Sequence, residues 1–458
     1  MPSRALRGAA VVACVAAGSA IAQPAPDTQA LRREIVALRT EYEARIRALE
    51  QRLQAAEAAV AAQPAAVAPA PAVAAAPAAA AAPAGGGFQP AVSLILSGQF
   101  ANTRRDPADY RIRGFPLPPD AEIGPGTRGF SLNETELSLS ANIDPYFYGA
   151  TNIAFAPDNT VSVEEAFIQT TSLGKGLTLR GGRFFSSVGY LNAQHSHVWD
   201  FVDAPLAYQA MLGTQFADDG VQLTWIAPTD RLIELRAELG RGRSFPGTDT
   251  SRNGAGMAAL SAHMGDDIGT SQSWRAGLSL LHAKASDQAL VGSDRAGIDV
   301  PLAFTGNTRV WIADGVWKWA PQGNATRTNF KLQGEYLRST RDGSLVVDTA
   351  GLASDGTYRV TQSGWYLQGV YQFMPRWRVG LRTERLDGGS PDYGANTGLL
   401  AVDTGNARKH TLMLDYNPSE FSRIRFQVAQ DRARVNLSDW QWLIQYQMSL
   451  GAHGAHSY

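Results

Sequence analysis

Between residues 91 and 452 the sequence returns repeatedly to strict two-residue alternation, and this constrains the fold more than any other feature. In 439–450, Trp440, Trp442, Ile444, Tyr446, Met448 and Leu450 hold one parity, while Gln441, Gln445, Gln447 and Ser449 hold most of the other. Such a segment is a strand with one oily and one wet face. The same texture recurs where Ile233, Leu235, Ala237 and Leu239 alternate with Glu234, Arg236 and Glu238. Trp377, Val379 and Leu381 alternate with Arg378, Arg382 and Glu384, and Ile424, Phe426 and Val428 with Arg423, Arg425 and Gln427. Charges that recur on one face of strand after strand cannot fill a dry core; they need water on that side.

The joints between segments sort into two kinds. Short ones carry turn residues: "IDPY", "SLGKG" at 172–176, "APTD" at 227–230, "GDDIGT" at 265–270, "APQGN" at 320–324, "FMPRW" and "NPSE" at 417–420. Proline and glycine supply the fixed or unusual φ that tight hairpins need. Long polar connections fall near 102–129, 187–217, 242–254, 284–307, 340–358 and 387–407, with brief ones at 157–160 and 432–438. Strands are expected near 91–101, 130–143, 146–156, 161–171, 177–186, 218–227, 231–241 and 255–264. They continue near 272–283, 308–319, 326–339, 359–373, 376–386, 408–416, 421–431 and 438–452. An even count of sixteen, with short and long joints in turn, predicts a 16-stranded antiparallel transmembrane β-barrel over residues 88–458. Aromatic residues clustered near the turns (Tyr146, Phe147, Tyr148, Trp317, Trp319, Trp377, Trp440, Trp442) suit the interfacial girdles of such a barrel.

Composition agrees with this reading and excludes others. The formal net charge is −1, so nucleic acid is not an expected partner. Mean hydropathy is −0.18, as expected when lipid-facing and lumen-facing residues alternate. Residues 1–22 read as a signal peptide, with Arg4 and Arg7 before a small apolar stretch and Ala20-Ile21-Ala22 as the cleavage site. The single cysteine, Cys14, lies within it, so the exported chain is expected to hold no disulfide. In 28–62, Leu31, Ile35, Leu38, Tyr42, Ile46, Leu49 and Leu53 step by three or four, which predicts an N-terminal α-helical coiled coil about 50 Å long. An Ala/Pro-rich spacer, 63–87, joins it to the barrel.

Several stretches resemble a Gram-negative outer-membrane family related to the phosphate-selective porins O and P: "SANIDPYFYGA", "LNAQHSHVWDFVDAPLAYQAMLG", "VWKWAPQGN", "GVYQFMPRWRVG", "LDYNPSEFSRIR" and "SLGAHGAH". Relatives of this kind are described variously as porins and as zinc-regulated or TonB-dependent outer-membrane receptors. The resemblance implies a homotrimer in the outer membrane of a Gram-negative bacterium, contacting lipid and passing small hydrophilic solutes or ions. Helix and C-terminus would lie in the periplasm, the helix within reach of peptidoglycan. Phosphate selectivity does not carry over. Of the 41 Lys and Arg, eight precede residue 88, and of the 42 Asp and Glu, six do, leaving 33 against 36 in the barrel. Only Lys175, Lys284, Lys318, Lys331 and Lys409 are lysines, so no lysine-rich anion funnel is expected. A TonB-dependent transporter would need a plug domain and about 22 strands, for which there is no room.

Candidate functional residues fall in two groups. Residues 187–217 form the third loop of the long-loop end, and in the resembling porins this loop narrows the lumen. Here it carries His195, His197, Asp200 and Asp203, expected to shape the constriction. Glu234, Arg236, Glu238, Arg378, Arg382, Glu384, Arg423 and Arg425 are the expected charges of the pore wall. His195 and His197 are two apart, so in an extended chain both project to one side and could share one zinc ion. His453 and His456 form a second, more distant pair that could do so only if the tail leaves the sheet. No nucleophile is placed beside a base and no CxxC, HExxH or nucleotide loop occurs, so no catalytic residue is assigned. Two readings stay open: a passive porin, and a zinc-binding or envelope-tethering barrel without general channel activity.

Overall fold

The computed structural model describes residues 90–451 apart from Glu134, Arg252 and Ala350, together with Gln51. The segments expected to be signal peptide, coiled coil (save Gln51) and spacer, and the tail with His453 and His456, lie outside the described residues.

The alternating segments form the strands β1 (Ala91–Thr103), β2 (Gly129–Leu132), β3 (Thr135–Asn142), β4 (Phe147–Phe155), β5 (Val161–Thr170) and β6 (Leu177–Phe185). They continue as β7 (Ala217–Ile226), β8 (Leu232–Gly240), β9 (Met257–Ile268), β10 (Gln272–Ser293), β11 (Asp299–Trp319) and β12 (Asn329–Thr349). The set ends with β13 (Leu352–Met374), β14 (Trp377–Asp387), β15 (Asn406–Ser419), β16 (Ser422–Asp431) and β17 (Asp439–Gly451). From β3 onward each strand pairs antiparallel with the next. β17 then pairs with β1, Phe100 facing Ile444, and closes the ring. β2 and β3 both pair with β1 and form one broken stave, so the described residues make sixteen staves. Closure removes the exposed edges that an open sheet would leave.

The two faces part as the alternation requires. On β17, Trp442 is 46% exposed on the outside while Gln441 beside it is fully buried within. Leu223, Leu235, Leu260, Leu278, Leu367 and Leu412 stand on the same outer face, an apolar belt fit for lipid. The short turns share one end. At "IDPY", Asp144 Oδ1 accepts from the Tyr146 and Phe147 backbone N–H groups at 2.7 and 2.8 Å, which closes the hairpin.

Two connections differ from the expectation. Residues 284–307 and 340–358 are expected as long loops, yet most of each lengthens the flanking strands, leaving a turn at 294–298 and, in the second hairpin, one at Gly351. Strands of 21 to 23 residues reach about 70 Å, against an apolar band about 25 Å tall. What extends them is a second inner core, where Leu290, Val300, Leu302, Phe304, Leu345, Val347, Tyr358 and Val360 pack with Tyr393 and Leu400. Polar residues on the other parity gave these hairpins a loop-like composition.

Two register slips matter for function. Between β1 and the broken stave, Gly98 faces Leu132 but Ile95 faces Glu136, a slip of one residue. Between β4 and β5, Asn152 faces Glu165 but Ile153 faces Val163, so Glu164 is the extra residue. A bulge switches the parity that points inward.

Candidate functional site

The loop 186–216 between β6 and β7 lies inside the barrel. Its helix α1 (Leu206–Leu212) is buried along its whole length, as a helix without a polar face must be. Gly213, at φ 64°, ends it in the left-handed conformation that glycine adopts without strain. Around α1 pack Tyr110, Ile112, Phe115 and Leu117 of the 104–128 loop and Val310, Ile312, Leu337, Tyr366 and Leu386 of the wall.

The wall charges expected from the sequence do face inward, and most of them hold this loop. Glu238 accepts from Ser186 Oγ at 2.6 Å and from the Ser187 backbone at 2.8 Å. Glu384 accepts from the Leu206 N–H at 2.5 Å, at the positive end of α1, and from Arg382 Nε at 2.7 Å. Arg423 donates to the His197 carbonyl at 2.9 Å, and Arg425 to that of Trp199 at 3.0 Å. Arg378 reaches Asp200 at 3.4 Å and Asp415 at 2.5 Å. Glu234 and Arg236 instead pair with each other at 2.5 Å, Arg275 joining Glu234 at 3.0 Å.

Asp200 and Asp203 are the loop's side of these contacts. Asp200 meets Lys331, Arg378 and Gln368. Asp203 takes Arg382 at 2.8 Å, Lys409 at 2.5 Å and Gln427 at 2.9 Å. Burial alone would raise both carboxyls, but Lys331 with Arg378 lowers Asp200, and Lys409 with Arg382 lowers Asp203 further.

His195 precedes the short 3-10 turn Ser196–Val198, His197 lies within it, and the two rings stack with centroids 5.6 Å apart. Three wall carboxylates surround them. Glu136 Oε2 lies 3.0 Å from His197 Nδ1 and 3.3 Å from His195 Nδ1. Glu164 Oε2 lies 3.4 Å from His195 Nδ1, and Glu165 Oε2 2.9 Å from its Nε2. Both bulges serve this cluster: one turns Glu136 inward, and the other aims the neighbours Glu164 and Glu165 to the same side. Burial would lower the His195 pKa, but the carboxylates of Glu136, Glu164 and Glu165 beside it outweigh that and raise it well above the usual histidine value. For His197 burial prevails over the Glu136 hydrogen bond, and its pKa falls.

Glu136, Glu164 and Glu165 are functional candidates that reading the sequence missed, as is Glu335 on β12. Glu335 accepts from the Tyr190 and Leu191 backbones at 3.2 and 3.0 Å and from the Tyr208 and Tyr366 hydroxyls at 2.8 and 2.6 Å. A signal was available for the first three. Alternation fails at "LNETEL" and "VEEAF", where a charge takes the parity of an apolar residue.

No family model matches the chain. A protein of Aquifex aeolicus (strain VF5), described as an uncharacterized protein, is 30% identical over 401 residues, which cover 81% of this chain and 80% of that one. Among solved structures, the anion-selective porin from Comamonas acidovorans is 10% identical over 79% of this chain and 99% of its own, with a TM-score of 0.48. OmpT of Vibrio cholerae in its trimer form has the same identity and coverages, with a TM-score of 0.47. The outer membrane channel DcaP of Acinetobacter baumannii is 10% identical over 79% of this chain and 97% of its own, also at 0.47. At that distance the barrel assignment rests on the strand register described above.

Proposed function

Since the chain belongs to the family of the Aquifex aeolicus protein and folds as a closed sixteen-stave barrel, we propose that it is an outer-membrane porin. Its function would be passive diffusion of small hydrophilic solutes or ions through a lumen narrowed by the loop 186–216. The observation that carries this reading is the inner face. Charged and amide side chains line strand after strand, an expense that a barrel filled only by its own side chains has no use for. The homotrimer and the Gram-negative outer membrane belong to the same reading and rest on the resemblance to the phosphate-selective porins.

One observation favours a second reading, a plugged barrel without general channel activity. The loops 104–128 and 186–216 share an apolar core inside the barrel, and the wall charges are largely engaged with the loop rather than free for solute. Liposome swelling with neutral sugars of graded size separates the two. Permeation that stops sharply at a small sugar supports the narrowed porin. No permeation by liposomes holding correctly folded protein supports the plug.

A further inference from the structure

We propose that Glu136, Glu164, His195 and His197 form a binding site for one divalent transition-metal ion, zinc foremost, which clamps the loop 186–216 to the barrel wall. The ligand atoms of Glu136, His195 and His197 lie within 4.8 Å of one another. Three contacts in the cluster have the spacing of neighbouring ligands in a coordination shell. An ion with nitrogen and oxygen ligands at about 2.0–2.1 Å in a tetrahedron holds them about 3.3–3.4 Å apart. Glu136 Oε2 to His195 Nδ1 is 3.3 Å, and His195 Nδ1 to Glu164 Oε2 is 3.4 Å. Glu136 Oε2 to His197 Nδ1 is 3.0 Å, slightly inside that edge.

Three further observations point to a cation. His195 Nδ1 and Glu164 Oε2 are buried and make no hydrogen bond, although they face each other; unsatisfied buried groups of this kind are costly. Three carboxylates surround two imidazoles, so the cluster carries an excess negative charge even with both rings protonated. The nearby Arg423 makes no ion pair with these carboxylates and donates instead to the His197 and Trp199 carbonyls and to Gln447. Glu165 also supplies the outer support that metal-bound histidines usually have. Its Oε2 faces His195 Nε2 at 2.9 Å, and its position is set by Asn152 Nδ2 at 3.0 Å and the Phe185 N–H at 3.2 Å. A proton on Nε2 leaves the Nδ1 lone pair aimed at Glu136 and Glu164. Two imidazoles with carboxylates suit zinc rather than calcium or magnesium, which prefer all-oxygen shells.

The three elements joined are β3, β5 and the loop, so bound metal would fix the constriction to the wall. The site stands whether or not the barrel conducts. The test uses the full-length protein folded in detergent and stripped by chelator, in a His453→Gln/His456→Gln background that removes the tail histidines as rivals. Calorimetry with Zn²⁺ should give one ion per chain. His195→Gln/His197→Gln should abolish that binding, and Glu165→Gln should weaken it by about 10- to 100-fold. Bound Co²⁺ should show the intense visible absorption of a tetrahedral N/O site, and Zn²⁺ should raise Tm only where both histidines are present. If the double histidine variant does not fold, Glu164→Gln, which keeps shape, must still lower affinity. No binding in the tail-substituted protein, or equal binding after His195→Gln/His197→Gln, overturns the site. Binding without a rise in Tm overturns the clamp.

Discussion

Asp203 shows how single residues hold this molecule together. It sits between Arg382 and Lys409, both nearly fully buried, and accepts from Gln427 as well. Asp203→Ala leaves two buried cations short of a partner and is expected to cost about 3–5 kcal/mol, read from urea unfolding of the detergent-folded protein. The sign of the pH dependence follows from the lowered carboxyls. An aspartate depressed on folding stabilises fully above about 3.9, its unfolded pKa, and that contribution is lost as pH falls through the lower folded value. Asp200 and Asp203 should therefore grip the wall unchanged near neutrality and let the loop loosen only below about pH 4. Protease sensitivity of the 186–216 segment against pH checks this; loosening already near pH 6 would assign the grip to other groups. At this scale the sequence was readable wherever alternation was intact. Glu234, Arg382 and Arg425 could be placed on the inner face from parity alone. Glu136 and Glu164 could not, because a bulge reverses parity and only broken alternation marks it.

Among the elements, the helix α1 is the one that anchors the 186–216 loop inside the barrel. Leu206 is fully buried within the core shared by the two loops and the wall. Leu206→Ala should cost about 2–5 kcal/mol through the lost contacts and the cavity left behind, measured by the same unfolding curves. A change below about half a kcal/mol would mean that the site collapses or that α1 is only loosely held. The sequence indicated a long loop at 187–217 but not its helix, because seven residues, apolar save for Gln209, show no amphipathic period to detect. The long hairpins β10–β11 and β12–β13 were hidden for a related reason. Their length goes with an inner core that Tyr393 and Leu400 of the 388–405 loop complete.

For the whole molecule, the barrel closes on itself within Ala91–Gly451, β1 pairing with β17 along eleven residue pairs. A chain lacking residues 28–87 should therefore fold to the same heat-modifiable, β-rich barrel by gel shift and circular dichroism; failure to fold would give the N-terminal segment a structural role. Sixteen staves were countable in advance because each short turn carries its own proline, glycine or aspartate. What counting could not supply is how full the lumen is, since that depends on contacts between loops far apart in sequence. The central claim, a passive channel narrowed by the 186–216 loop, is tested most directly by single-channel recording in planar bilayers. The native protein should be compared with a variant in which 205–213 is replaced by a short Gly/Ser link. The account expects stable steps from the native protein and distinctly larger ones from the variant. Silence from both, with folded protein inserted, or steps of equal size would contradict it.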